Sequence, residues 1–245
     1  MGKLFSHLSE GTPRLGILID PEKNTNTRDF NHDVKRLIFA QPDIFLVGGS
    51  SATRAQTVLC VEVLKKQTQI PVVLFPGSAD QFSKKADAML FLSLISSRNP
   101  QYLIEEQIKS AEEVYHSGIE TIPTGYLLLD GGTTTSTSRV TKTAPVDQKM
   151  LKLIENTALA GTLMGHLSIY LDAGSGALNP VSEEVIALIS PLTKLLIVGG
   201  GLRNIEAVKK IHLAGANLVV IGNHLEKDPD FVKKIAAYQK SKNSG

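Results

Sequence analysis

The 245-residue sequence contains little that would mark a secreted, membrane-spanning or nucleic-acid-binding protein. Its single cysteine, Cys60, cannot form an internal disulfide, and no Cys-x-x-Cys pair or His/Cys cluster is present to bind structural zinc. The formal net charge of +2 is close to balance, unlike the broad basic surface that neutralises a phosphate backbone. No apolar run approaches the roughly 20 residues that span a bilayer, and the N-terminus lacks the apolar core of a secretory signal. We therefore expect a cytoplasmic protein.

Short apolar runs alternate with segments of helical length. Hydrophobic residues make up 42% of the chain, enough to fill one sizeable core. Uninterrupted apolar runs are typical of parallel strands buried on both faces, and eight such strands close a barrel. We therefore predict a single (β/α)8 TIM-barrel domain over residues 1–245. The eight runs are Leu15–Asp20, Ile44–Gly48, Val72–Pro76, Ala88–Leu94, Thr121–Leu129, Leu167–Asp172, Leu195–Gly199 and Leu218–Gly222.

The segments between these runs predict amphipathic helices. The third connection, around Ala79–Lys85, is too short for a full helix. The polar stretch Gly131–Thr143 follows the fifth run, and we interpret it as a long mobile loop, either a lid over the site or a solvated connector. The predicted helices are Asp29–Ala40, Ala52–Lys66, Pro100–Ser117, Asp147–Met164, Ser182–Ile189, Asn204–Ala214 and Asp228–Lys240.

Oxygen-bearing side chains follow the first two runs, at the end of the barrel where ligands bind. Asp20 ends the first run and can hold a divalent cation, although an Asp-Pro pair is also a common turn. Gly48 and Gly49 open the backbone after the second run, and Ser50 or Ser51 offers a hydroxyl. Oxygen ligands suit Mg²⁺, which keeps water and takes phosphate oxygens.

The sixth run ends in YLDAGSGA. Tyr170 and Asp172 are two residues apart, so in a strand they point to the same side. The glycines and serine that follow form a flexible polar loop. We therefore predict that both side chains face one ligand.

Glycine-rich turns follow the seventh and eighth runs. Gly199–Gly201 lead into a helix, and Gly222 and Asn223 precede another helical turn. Backbone amides at such turns bind anions, so we predict phosphate-binding loops after strands 7 and 8. Arg203 is available to assist. The isolated histidines His32, His166 and His224 are not predicted to be catalytic.

A series of motifs spans most of the chain. IDPEK, VGGSSAT, LFPG, SSRNP, PTGYLLLDGG, YLDAGSGA, VGGGLRNIEAV and IGN occur in this order from Ile19 to about Asn223. The series resembles the geranylgeranylglyceryl phosphate synthase family, in the branch with bacterial members that is related to heptaprenylglyceryl phosphate synthases. Members use Mg²⁺ to transfer a geranylgeranyl group from its diphosphate to the 3-hydroxyl of sn-glycerol 1-phosphate, making the ether bond of isoprenoid phospholipids. The resemblance implies the same transferase reaction, the same two substrates and a homo-oligomer.

The resemblance also implies roles for individual residues. It makes Asp20 and Ser50 the magnesium contacts, and Asp172 and Tyr170 the catalytic residues. The positions that match glycerol phosphate contacts are Tyr170, Leu171, Asp172, Ala173, Gly174, Ser175, Gly176, Gly200, Gly201, Gly222 and Asn223.

Two positions depart from the family pattern. Many relatives carry glutamate where this chain has Asp172, whose carboxylate reaches one methylene less far. Some relatives carry a basic residue where this chain has Leu18, so the phosphate charge must be met mainly by amides, with Lys23 or Arg203 as helpers.

Residues at the third, fourth and fifth strand ends are candidates for an apolar prenyl channel. They are Phe75–Gly77, Phe91–Leu94 and Tyr126, and their alternative role is ordinary barrel core. Two other functions stay open: a phosphosugar isomerase or lyase on the same barrel, and a non-catalytic phosphate-ligand-binding protein in which Asp20 and Asp172 are structural. One central carboxylate, rather than a facing acid and base, favours the transferase.

Overall fold

The structure, a computed structural model, describes residues 2–23, 27–222, 225 and 228–243. Eight parallel strands form a closed barrel in chain order, and β1 pairs with β8 to close it. The predicted (β/α)8 barrel is confirmed, and each predicted run overlaps a strand whose ends differ from it by at most two residues. The strands are β1 (Arg14–Ile19), β2 (Ile44–Val47), β3 (Val72–Leu74), β4 (Ala88–Leu94), β5 (Glu120–Leu128), β6 (Ser168–Asp172), β7 (Leu195–Gly199) and β8 (Leu218–Ile221).

Helices cover the outside of the barrel, close to the predicted positions. A π-helical turn, Gln101–Glu105, leads into α4, and a 3-10 turn, Ser190–Leu192, follows α7. Residues 75–87 join β3 to β4 through turns, as predicted for this short connection. The helices are α1 (Lys3–Ser9), α2 (Thr27–Phe39), α3 (Arg54–Gln67), α4 (Glu106–Ser117), α5 (Ser136–Thr141), α6 (Leu151–Leu163), α7 (Glu183–Ile189), α8 (Ile205–Leu213) and α9 (Pro229–Asn243).

Two layers of apolar side chains hold the fold together. Alternate strand residues such as Leu46, Leu90 and Ile197 fill the barrel interior, and the residues between them pack outward against the helices. Because both faces are buried along most of the strands, runs such as those of β2 and β7 are apolar throughout. The barrel interior is thus filled with side chains, and a ligand can bind only at the rim formed by the carboxyl ends of the strands.

Helix α1 was not predicted from the sequence. Its side chains Phe5 and Leu8 are buried, and the backbone amides of Leu4 and Phe5 donate to the Glu120 carboxylate at 3.0 and 2.7 Å. Glu120 lies 116 and 115 residues away in the chain. A helix this short depends on such distant contacts, which local periodicity does not reveal.

The interpretation of residues 131–143 as one long mobile loop was wrong for its second half. Residues Ser136–Thr141 form α5, whose N-cap Thr135 accepts a hydrogen bond from the Ser138 amide at 3.1 Å. Thr135 and Thr143 are buried, because threonine hydroxyls can bond within the segment and across it to neighbouring loops. Ser97 and Thr143 hydroxyls lie 2.7 Å apart in one such contact.

Candidate active site

The end of β6 brings Tyr170 and Asp172 to the inner face of the barrel, as the strand alternation predicts. Tyr170 stacks on Phe75 with ring centroids 5.0 Å apart and meets Tyr126 edge-on at 5.4 Å. Its hydroxyl lies against β7, where a Cβ added to Gly199 would be 2.5 Å from the oxygen. The glycine at position 199 therefore makes room for the tyrosine hydroxyl.

Asp172 is a buried carboxylate with two hydrogen-bond donors. The Gly174 amide donates to Oδ1 at 2.7 Å, and the Tyr126 hydroxyl donates to Oδ2. Burial raises the pKa of Asp172 above its ordinary value, while the hydrogen bonds from Tyr126 and Gly174 favour the ionised form and limit that rise. A carboxylate so held is suited to accept a proton from a substrate hydroxyl.

Tyr126 is a site residue that the sequence analysis assigned either to the prenyl channel or to the barrel core. Burial, and then the charge of Asp172, raise the pKa of Tyr126 well above its usual value, so the hydroxyl keeps its proton and donates it in a hydrogen bond. A hydrogen bond with the side chain of Thr137, in α5, also acts on this hydroxyl. No sequence signal identified this contact, because it depends on the register of β5 against β6, which places Tyr126 beside Tyr170.

The glycine-rich loops after β6 and β7 lie against each other at one rim. Gly174, Gly176, Gly200 and Gly201 have positive φ angles of 90°, 80°, 87° and 71°. A Cβ added to Gly200 would lie 2.6 Å from the Gly174 nitrogen and 2.8 Å from Oδ1 of Asp172. Both the backbone conformation and the close approach therefore require glycine.

These loops converge on the cavity that Asp172 lines. Gly176, Gly200, Gly201 and, after β8, Gly222 all line it, so the predicted phosphate loops share one rim. Arg203 lines it too, and its Nη2 donates to the Ala177 carbonyl at 3.0 Å, joining the loops after β6 and β7. The predicted contact Asn223 and the isolated histidine His224 lie outside the described residues.

Leu171 and Ala173, unlike the other predicted glycerol phosphate contacts among the described residues, do not line the cavity. Both are fully buried in the outer core, between the barrel and the helices. Their side chains therefore point away from the cavity that Tyr170, Asp172 and Ser175 line. A contact from these two positions to a ligand would have to come from their backbone atoms.

The predicted metal contacts, Asp20 and Ser50, line the same cavity on its β1–β2 side. A Cβ added to Gly49 would lie 2.6 Å from Oδ1 of Asp20, so Gly49 lets the second loop approach the carboxylate. Lys23 forms an ion pair with Asp20 at 3.3 Å, and the Ser51 hydroxyl donates to Glu22 at 2.7 Å.

This donor set fits Mg²⁺. A carboxylate and a hydroxyl supply hard oxygen ligands, and the open cavity beside them has room for water and phosphate oxygens. In the part of the chain that the structure describes, no group of three or more His, Cys, Asp or Glu side chains converges on one point. One carboxylate and one hydroxyl suit an ion that takes its other ligands from water and from phosphate oxygens.

The cavity has a volume of about 620 Å³ and continues from the polar loops to an apolar wall. Most residues predicted for a prenyl channel line that wall, with Ser93 as the exception in the Phe91–Leu94 segment. Helix α5 adds Val140 and the π-helical turn adds Tyr102, whose hydroxyl donates to the Val140 carbonyl at 3.3 Å. One cavity therefore joins a polar, anion-binding end to an apolar end.

Comparison with known proteins identifies relatives along almost the whole chain. The model of the PcrB family matches residues 14–241. A protein of Zunongwangia profunda named geranylgeranylglyceryl phosphate synthase is 53% identical over 213 residues, which are 86% of this chain and 90% of that protein. A protein of the same name from Methanopyrus kandleri is 39% identical over 95% of this chain and 96% of its own length.

A solved structure with the same enzyme name supports this relationship. The crystal structure of (S)-3-O-geranylgeranylglyceryl phosphate synthase from Thermoplasma acidophilum, in complex with substrate sn-glycerol-1-phosphate, has a TM-score of 0.90 and 30% identity and covers 100% of both chains. The N-acetylmannosamine-6-phosphate 2-epimerase of Clostridium perfringens, with a TM-score of 0.59 and 10% identity, shares the fold alone. The resemblance inferred from the motifs is thereby confirmed: the chain belongs to the PcrB family, and its relatives from Zunongwangia profunda and Methanopyrus kandleri are named geranylgeranylglyceryl phosphate synthase.

Proposed function

We propose that this protein is a prenyltransferase that joins geranylgeranyl diphosphate to the 3-hydroxyl of sn-glycerol 1-phosphate and releases diphosphate. The observation that carries the proposal is the single cavity in which the Asp172 carboxylate lies between glycine-rich loops and an apolar wall. The names of the family relatives and the glycerol phosphate in the Thermoplasma acidophilum structure support the same reaction.

The acceptor would bind at the β6–β8 rim. Backbone amides of the loops at Gly174–Gly176, Gly200–Gly201 and Gly222 would bind its phosphate, because open glycine turns let an anion approach the chain. Arg203 lines this part of the cavity and would add positive charge. The polyol attached to the phosphate then reaches towards Asp172 and Tyr170.

The transfer step would use Asp172 as the base. The oxygen at C3 of the glycerol forms a bond to C1 of the prenyl chain as the bond from C1 to the diphosphate breaks, and the hydroxyl proton passes to Asp172. Tyr126 and the Gly174 amide hold the carboxylate still during this step. Tyr170 lies beside Asp172 and would orient the hydroxyl.

The diphosphate would lie at the β1–β2 side of the cavity. Asp20 and Ser50 would hold Mg²⁺ there. The ion, when bound, supplies positive charge that stabilises the departing diphosphate. The prenyl tail would follow the apolar wall past Phe91 and Leu94 towards Val140.

The test is to incubate the purified protein with labelled geranylgeranyl diphosphate, sn-glycerol 1-phosphate and Mg²⁺. We expect a labelled ether product with loss of diphosphate, and far less product from the mirror-image sn-glycerol 3-phosphate. A series of shorter and longer prenyl diphosphates would define the chain length. Tight glycerol phosphate binding with no ether product would contradict the proposal and favour a non-catalytic binding protein.

We propose in addition that the protein is a homo-oligomer. Several large apolar side chains are exposed, among them Ile104 and Ile108 before and within α4, and Leu163 and Met164 at the end of α6. Contact with another subunit would bury these side chains, and subunit interfaces commonly bury apolar surface of this kind. Light scattering in solution should give a mass of at least two chains, and the mass of one chain would contradict the proposal.

A further inference from the structure

A buried glutamine connects two loops at the rim. Gln81 lies in the turns that join β3 to β4 and is 1% exposed. Its Nε2 donates to the Gly49 carbonyl at 2.9 Å, and its Oε1 accepts from the Gly77 amide at 2.9 Å. One side-chain amide therefore links the loop after β2 to the loop after β3.

The backbones of these two loops also approach each other closely at their glycines. A Cβ added to Gly77 would lie 2.6 Å from the Gly49 carbonyl oxygen, and one added to Gly48 would lie 1.7 Å from the Phe75 carbonyl oxygen. Because glycines allow this approach and also leave the loops conformationally free, a fixed contact is needed to hold their alignment. The Gln81 amide supplies one.

The loop that Gln81 holds carries one proposed metal contact and touches the other. Gly49 directly precedes Ser50, and it packs on the carboxylate of Asp20, where an added Cβ would be 2.6 Å from Oδ1. The position of the Gly49 carbonyl therefore sets how Ser50 and Asp20 are placed relative to each other.

We propose that Gln81 is the positioning residue of the diphosphate end of the site. By fixing Gly49 against Gly77 it holds Asp20 and Ser50 in the arrangement that binds magnesium diphosphate. This inference rests on the proposed transferase function, which assigns diphosphate to that end. Gln81 acts through Gly49 and is not a catalytic residue.

The chemistry of the amide makes the role specific to glutamine. One partner is a carbonyl that needs a donor, and the other is an amide that needs an acceptor. Glutamate keeps the acceptor for Gly77 but presents a charged oxygen to the Gly49 carbonyl. Leucine has a similar volume and neither group. Gln81→Glu therefore removes the contact with Gly49, and Gln81→Leu removes both contacts.

Gln239 is a matched control. It is also buried, at 2% exposure, and its Nε2 donates to the Gln41 carbonyl and to Oδ2 of Asp43, both at 2.9 Å, while its Oε1 accepts from Lys242 at 3.0 Å. The contacts with Gln41 and Asp43 lie at the amino-terminal end of the barrel, before β2, and so on the far side from the cavity. Gln239→Leu thus removes the hydrogen bonds of a buried glutamine, as Gln81→Leu does, without touching the rim.

The experiment measures binding directly, by titration calorimetry with inorganic diphosphate in the presence of Mg²⁺ and, separately, with sn-glycerol 1-phosphate. We expect Gln81→Leu and Gln81→Glu to weaken diphosphate binding by about tenfold or more. Binding of glycerol phosphate, at the β6–β8 rim, should stay within about twofold. Gln239→Leu should leave both affinities unchanged even if its melting temperature falls.

Unchanged diphosphate binding in both Gln81 variants would overturn the inference, and so would an equal loss of both ligands, which would mean a purely structural role. If Gln81→Leu does not fold, Gln81→Glu, which keeps the Gly77 contact, decides between these results. Failure of the transferase proposal would be seen separately, as the absence of ether product from the unaltered protein. Diphosphate binding does not require that turnover.

Discussion

The hydroxyl of Tyr126 donates a hydrogen bond to Oδ2 of Asp172 inside the barrel, across the pairing of β5 with β6. Two opposing effects meet at this carboxylate. Burial raises the pKa of Asp172, and the hydrogen bonds from Tyr126 and from the Gly174 amide favour its charged form. The carboxylate can therefore sit in an apolar setting and still act as a base.

Replacing Tyr126 with phenylalanine should raise the pKa of Asp172, because the ionised carboxylate loses a donor. The base must be ionised to act, so the acid limb of the pH profile of kcat should move to higher pH. Activity on the alkaline plateau, where the carboxylate is ionised in both proteins, should fall less than activity on the acid limb. Tyr102→Phe is the control, since the Tyr102 hydroxyl lines the same cavity but donates to the Val140 carbonyl. An acid limb that stays in place in Tyr126→Phe would show that Tyr126 does not tune the base.

Replacing Gly200 with alanine should abolish glycerol phosphate binding. The added Cβ would lie 2.6 Å from the Gly174 nitrogen and would strain a backbone with a φ of 87°. Gly165→Ala is the control, because Gly165 has a φ of 98° and nothing within 4 Å of an added Cβ. Calorimetry with sn-glycerol 1-phosphate should show lost binding in Gly200→Ala and normal binding in Gly165→Ala, although both variants strain the backbone. Equal affinities in the two variants would count against the assignment.

Replacing Asp20 with alanine should raise the concentration of Mg²⁺ needed for half-maximal rate, because a negative oxygen ligand is lost. The matched change is Asp130→Asn, which removes a carboxylate that accepts from the Gly132 amide after β5 and does not line the cavity. A magnesium titration of initial rates compares the two. The same curve for Asp20→Ala and the unaltered protein would exclude Asp20 as a metal contact.

The stability of the fold should fall as the solution is acidified from neutral pH, because of His212. Burial lowers the pKa of His212 to about 4 from the ordinary 6.5, and the ring bonds to the Tyr238 hydroxyl and the Arg14 carbonyl. Between those two pH values the unfolded chain binds a proton that the folded protein does not. Protonation of His212 therefore costs no stability above pH 6.5. Below that pH it lowers the free energy of unfolding by about 1.4 kcal/mol per pH unit.

Urea unfolding of the unaltered protein and of His212→Gln between pH 7 and pH 5 would measure this contribution. The variant can still form hydrogen bonds but does not titrate in that range. Its free energy of unfolding should change less with pH than that of the unaltered protein. Parallel curves would mean that His212 does not carry the pH dependence.

The fold could be predicted because the barrel strands are buried on both faces. Runs such as Leu195–Gly199 are apolar throughout, and the predicted and observed bounds of β7 agree. The helix α1 could not be predicted, because its stability comes from Glu120 in a distant strand. The packing of α5 was missed for a related reason, since Thr135 and Thr143 are buried through hydrogen bonds that composition does not show.

The sequence could predict only those site residues that lie directly at the end of a strand. Asp172 and Gly200 follow their strands directly, so the rim position of both could be expected. The partnership of Tyr126 with Asp172 depends on the register of β5 against β6, and that of Gln81 with Gly49 depends on two loops meeting. Neither register nor loop contact can be read from one strand. That residues 1–245 form one domain in the cytoplasm stays a prediction.

Asp172 as the base is the central claim, and a single-turnover measurement of Asp172→Asn tests it most directly. The enzyme, in excess over labelled geranylgeranyl diphosphate, is mixed with saturating sn-glycerol 1-phosphate and Mg²⁺, and ether formation is followed in time. We predict a rate about 10²–10⁴-fold below that of the unaltered protein, with glycerol phosphate affinity nearly unchanged. A single-turnover rate close to that of the unaltered protein would contradict the account.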